Sequence, residues 1–164
     1  MQQETVTAQQ QKEAEDKLQS WYDRWREKIH TWVADHSAHQ LADVVMLVPD
    51  LAMLLMRLIR DNRVPFKFKA QLILAAAYLA APIDILPEAV MSVAGLGDDV
   101  MLISLVILNG MAGLNPQVLR DHWSGHGDVV QTLQNVVSMR QGFASAKVMD
   151  TVNMIMGKKD KKKA

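Results

Sequence analysis

The sequence predicts an all-α fold: a helical bundle with a central apolar helical hairpin, flanked by N- and C-terminal amphipathic helices. Three observations predict it. Apolar residues recur at steps of three and four, as in Leu18, Trp21, Trp25, Ile29 and Trp32, with Tyr22 and Val33 widening the stripe. Prolines and capping residues punctuate the apolar stretches at intervals that suit helices. No alternating segment of useful length reads as a strand.

Residues 1–36 form a polar-to-amphipathic helical arm. Met1 to Lys17 is rich in Gln, Glu and Lys, which favour helix, and lacks the apolar core of a signal peptide, so secretion is not expected. From Leu18 onward the aromatic stripe has an opposite face carrying Asp23, Arg24, Arg26, Glu27 and Lys28. Such a helix either packs on the rest of the protein through its large rings or lies in a membrane interface, where Trp and Arg are both favoured. Trp21, Trp25 and Trp32 are therefore candidate membrane or partner contacts.

Residues 37–123 hold the apolar core. Ser37-Ala38-His39-Gln40 has the form of a capping box and predicts a helix start. Pro49-Asp50 is expected to kink or restart that helix, and Asp61-Asn62 to end it. Pro65 suits the first turn of a second helix reaching about Ala81, and Ala70 to Ile83 carries no charge. Pro82 and Pro87 break this helix, Gly95 and Gly97 prolong the break, and Asp98 is the expected N-cap of a third helix over Val100 to Leu114. Asn115-Pro116 starts a short segment reaching Trp123. Asp128 should cap a C-terminal amphipathic helix over 128–157, weakened at Gly142 by about 1 kcal/mol. A Lys-rich tail, 158–164, follows.

Val100 to Leu114 is 15 residues and apolar nearly all round, so it must be buried in protein or lipid. As a helix it is about 22 Å long, short of the roughly 30 Å hydrocarbon core of a bilayer. A shallow or re-entrant hairpin fits that length better than two spans, and a soluble bundle with buried core helices fits it as well. Arg63, Phe66, Phe68 and Lys69 precede the hairpin and Trp123 follows it. Basic and aromatic flanks with an acidic tip match association with the cytoplasmic side of a membrane. The same flanks also suit an ordinary solvated basic face.

The tip reads Tyr78-Leu79-Ala80-Ala81-Pro82-Ile83-Asp84-Ile85-Leu86-Pro87-Glu88, and later Gly95-Leu96-Gly97-Asp98-Asp99. This resembles the YkvA-like family, a small domain of unknown function. Its hallmark is Tyr-Leu-x-x-Pro-Ile-Asp-Leu-Ile-Pro-Asp followed by Gly-x-x-Asp-Asp. The likeness covers roughly Arg63 to Leu114. Glu88 stands where the family usually has Asp, a frequent third proline is missing, and the Pro87 to Gly95 stretch is one residue longer. The resemblance implies a compact helical domain, often membrane-associated, and brings no established reaction or cofactor.

Asp84, Glu88, Asp98 and Asp99 would meet if two antiparallel helix ends converge at this tip. Four carboxylates there would serve as caps for orphan N–H groups, hold a hard cation such as Mg²⁺ or Ca²⁺, or pair with Arg57 or Lys69. His122 and His126 have the four-residue spacing of a metal pair, but Ser124-Gly125 and Gly127 argue against a rigid helix between them. No cofactor or metal site is expected.

Composition narrows the function further. There is no cysteine, which excludes disulfides and thiolate chemistry, and 18 basic residues balance 18 acidic ones, which argues against a nucleic-acid partner. The expected function is that of a small non-enzymatic membrane-associated protein, a scaffold, adaptor or modulator with a protein partner. The alternative is a soluble helical domain with a carboxylate cation site, or an oligomeric interaction module formed by copies of the chain.

Overall fold

The computed structural model describes residues 2–36, 42–80, 93–139 and 146–157. The described residues are helical throughout apart from short turns, and contain no strand. In chain order the helices are α1 (Gln2–His36), α2 (Ala42–Arg60), α3 (Phe66–Ala80), α4 (Val93–Gly110), α5 (Pro116–His122), α6 (Val129–Ser138) and α7 (Ala146–Met156). A 3-10 turn, Met111–Gly113, joins α4 to α5.

α4 is the central helix. It packs on α2, α3, α6 and α7, and Val100, Met101, Leu102, Val106 and Ile107 are almost fully buried. Its all-round apolar surface is therefore covered by protein, one of the two environments such a helix requires. Leu51, Leu54 and Leu58 of α2, Phe68 and Leu72 of α3, Leu119 of α5, Leu133 of α6 and Val152 of α7 close the core around it. Among the described residues, α1 contributes none to that cluster.

Several helix ends follow local signals in the sequence. The Asn115 side chain accepts from the N–H of Gln117 (2.9 Å), and Pro116 opens α5. Asp128 caps α6 through the N–H of Gln131 at 3.0 Å. The Pro65 carbonyl accepts from the N–H of Lys69 at the start of α3.

Other expectations need correction. α2 continues through Pro49 as one helix and does not restart there. Proline costs a helix interior about 3 kcal/mol; burial of Leu51, Leu54, Leu55 and Leu58 on one face of α2 offsets that. α4 begins at Val93, not at Asp98, so Gly95 and Gly97 lie inside the helix and Asp98 is not its N-cap. Each glycine costs only about 1 kcal/mol relative to Ala, too little to stop a helix whose next turns are buried in the core. The single C-terminal helix expected over 128–157 is two helices, α6 and α7, both packed on α4. The expected capping box at Ser37 to Gln40 lies outside the described residues.

Candidate functional site

Of the acidic tip, Pro82, Asp84, Pro87 and Glu88 lie outside the described residues. Gly95 sits in the first turn of α4, and Asp98 and Asp99 are half-buried further along the same helix. Among the described residues no group of three His, Asp or Glu side chains could hold a metal ion.

The basic and aromatic flank resolves into two unlike parts. Phe66 and Phe68 are two residues apart on α3, about 200° around a helix. Phe66 points outward, 86% exposed, while Phe68 is buried in the core against Gly110. Phe68 is thus corrected from a surface contact to a core residue. Seven and eight residues beyond Phe66, Ile73 and Leu74 return to its side of the helix and are 50% and 54% exposed. Ala70 lies between them and Ala77 one turn beyond, on the same stripe. α3 is thus apolar on two faces, and only the one carrying Phe68, Leu72 and Ala75 is covered by the bundle. Lys67 is exposed and Lys69 half-buried beside this outer stripe, and α3 carries no acidic residue.

Arg63 and Trp123 have internal duties. The Arg63 guanidinium pairs with Asp61 (Nη2 to Oδ2, 2.7 Å) and with Asp121 (Nη1 to Oδ2, 2.7 Å), tying the α2–α3 turn to α5. His122 Nε2 lies 2.6 Å from the same Asp61 oxygen. Trp123 packs against the core, and its indole Nε1 is buried without a protein partner. On α1, Trp21 is half-buried, Trp25 is 47% exposed, and their ring centroids are 6.0 Å apart. The side chain of Trp32 lies outside the described residues.

Arg63 holds the Asp61 carboxyl far below the usual carboxylate range, chiefly by hydrogen bonding, with burial opposing and His122 adding to the depression. A depressed carboxyl stabilises the fold above its unfolded pKa, near 4, and loses that contribution as pH falls toward the folded value. Asp61→Asn is accordingly expected to lower the melting temperature at neutral pH. The gap to the parent protein should close progressively below about pH 4. A gap that stays constant between neutral and strongly acid pH would show that Asp61 does not act through its charge.

A polar seam attaches α1. Asp50, buried in α2, accepts from the Tyr22 hydroxyl at 2.6 Å and from Arg26 Nη1 at 2.7 Å, both on the same oxygen. Burial, with help from Asp50, pushes the Tyr22 hydroxyl up to about 12, so it is a neutral donor. Arg26 also approaches His126 Nε2 at 3.4 Å. One α2 face further along, Arg57 donates to Glu15 (3.0 Å), Gln19 (3.2 Å) and Ser124 Oγ (2.7 Å). Arg57 is therefore engaged with α1 and with the turn after α5. Arg26 faces α2, not the solvent side to which the sequence pattern assigned it. His122 and His126 have different partners and do not form a pair. The signal that marks this seam is a lone Asp in the otherwise uncharged run Val44 to Met56, a group that burial obliges to find donors.

Comparison with known proteins places one finding on this architecture. Residues 69–105 match the model of a protein family of unknown function, DUF1232. The matched stretch runs from the second turn of α3 into the buried half of α4, and so covers most of the central hairpin. It includes the acidic tip and excludes Phe66, Lys67 and the whole of α1. No curated protein and no solved structure matches the chain.

Proposed function

We propose that this chain is a non-enzymatic helical protein of the YkvA-like kind that attaches peripherally to the cytoplasmic face of a membrane and serves there as a scaffold or adaptor. The observation that carries this reading is the outer face of α3. Phe66, Ile73 and Leu74 form an apolar stripe, bordered by Lys67 and Lys69, on a helix whose other face is already packed. Large apolar side chains grouped with lysines on one exposed face suit the boundary between headgroups and acyl chains. Burying those three side chains is worth roughly 3–6 kcal/mol, enough for reversible attachment but not for permanent insertion.

The attachment is shallow in this reading. α4, the most apolar helix, is surrounded by protein, and no described helix is long and apolar enough to cross a membrane. This favours α3 as the contact over an inserted hairpin. Fractionation of cells making the untagged protein tests the proposal. The protein is expected in the membrane pellet and in the supernatant after an alkaline carbonate wash. A Phe66→Ser/Leu74→Ser variant with unchanged melting should shift to the soluble fraction. Parent protein found wholly soluble from the start would refute the reading, and retention after the wash would refute its peripheral character.

A further inference from the structure

We infer that α1 is a releasable cover. It undocks from α2 while the bundle of α2–α7 stays folded, with Asp50 and Arg57 as its two catches, and the surface it hides is an apolar strip of α2 at Met53. None of these residues lies on the outer face of α3, so the cover works whether or not that face meets a membrane.

The facing residues of α1 are Glu15, Gln19, Tyr22 and Arg26, spaced four, three and four apart, and so on one side of the helix. The first two meet Arg57 and the last two meet Asp50, so α1 and α2 run antiparallel. Met53 lies between the two catches on the same side of α2, three residues from Asp50 and four from Arg57. It is fully buried, yet it is not one of the core residues gathered around α4. Its cover is therefore α1. Tyr22 is likewise buried outside that core.

The catches are polar. Water replaces their hydrogen bonds when they open, so each bond contributes little net stability. Release also returns Asp50 to water, which relieves the desolvation of a buried carboxylate. The core around α4 has no such dependence: it is apolar and closes without any residue of α1 among those described. A segment held by few apolar contacts and by bonds that water can replace opens at a lower free energy than the whole fold. Opening bares Met53 beside Met56, which is already 39% exposed. Docked α1 thus keeps an adaptable apolar strip closed to association.

Methionine oxidation in the full chain reads this opening. Hydrogen peroxide transfers one oxygen to the thioether, giving the sulfoxide and water, and it acts on side chains that solvent reaches. Two buried methionines sit in different places: Met53, 0% exposed, under α1, and Met101, 2% exposed, in the core. Exposed Met154 sets the unhindered rate. At low conversion, followed by peptide mass spectrometry, Met53 is expected to oxidise at least about 100-fold faster than Met101. Asp50→Asn should speed Met53 by about tenfold and Tyr22→Phe by about fivefold. Val152→Ala, which weakens the core on α7, should speed Met101 by about tenfold and leave Met53 unchanged, because it destabilises the covered and uncovered forms equally. Equal slow rates at Met53 and Met101, or a Val152→Ala protein in which both rise together, would show that α1 opens only with the whole fold and overturn the inference. Fast oxidation of Met53 that neither Asp50→Asn nor Tyr22→Phe alters would overturn the assignment of the catches.

Discussion

Asp50→Ala is expected to lower the free energy of unfolding by about 2–4 kcal/mol. The carboxylate is buried and is the shared acceptor of Tyr22 and Arg26. Removing it leaves a buried hydroxyl without an acceptor and a guanidinium facing α2 without its counter-charge. The loss falls short of the largest seen for buried ion pairs because the Arg26 side chain keeps 25% of its exposure and recovers some hydration. Asp50→Asn keeps the shape and one acceptor, so about half the loss is expected. Tyr22→Phe should cost about 1 kcal/mol, and much less than that in an Asp50→Ala background, because the two changes remove the same bond. Urea unfolding followed by tryptophan fluorescence measures all of these. A loss under about 1 kcal/mol for Asp50→Ala would mean that the seam does not seat α1.

Gly110→Ala should be destabilising by about 2 kcal/mol, although it replaces glycine by the best helix former. Gly110 ends α4 with ordinary helical angles, φ −75° and ψ −17°, so its backbone does not require glycine. Taken alone, the change would gain up to about 1 kcal/mol. The sign is decided by space. A Cβ there would sit 2.7 Å from Cζ of Phe68 and closer still to Cε2 and Cδ2 of the same ring. Phe68 is buried in the core, so its ring can yield only against packed neighbours, and overpacking of this kind costs about 1–3 kcal/mol. Phe68→Leu, which removes the ring, should make Gly110→Ala nearly neutral in that background. Thermal melts of the four proteins in this cycle provide the check. A stabilised Gly110→Ala protein would show that the ring has room to turn.

These two sites also mark where the sequence is readable and where it is not. The starts of α5 and α6 were legible because Asn115 and Asp128 bond to N–H groups two and three residues away, a purely local matter. The course of α2 through Pro49 and of α4 through Gly95 and Gly97 was not, because packing at distant positions outweighs a local penalty of one to three kcal/mol or so. Periodicity found the contacting stripe of α1 but centred it on the tryptophans. Its true centre is Tyr22, with Glu15, Gln19 and Arg26 inward, since their partners Asp50 and Arg57 sit on another helix. On α3 the uncharged run announced burial. Which of its two apolar faces is covered depends on α4, so Phe66 and Phe68 looked alike in the sequence and are opposites in the fold.

α1 also sets a distance. Glu15 is held by Arg57 of α2, and the residues from Thr7 to Glu13 are all exposed. No proline or glycine interrupts Gln2–His36. The helix therefore continues about 20 Å beyond Glu15 toward its start, at 1.5 Å per residue. A flexible linker of the same length would let its end wander; a continuous helix clamped along its second half fixes both reach and direction. A glycine pair inserted before Glu15 would break that continuity and turn the stiff first half of α1 into a tether.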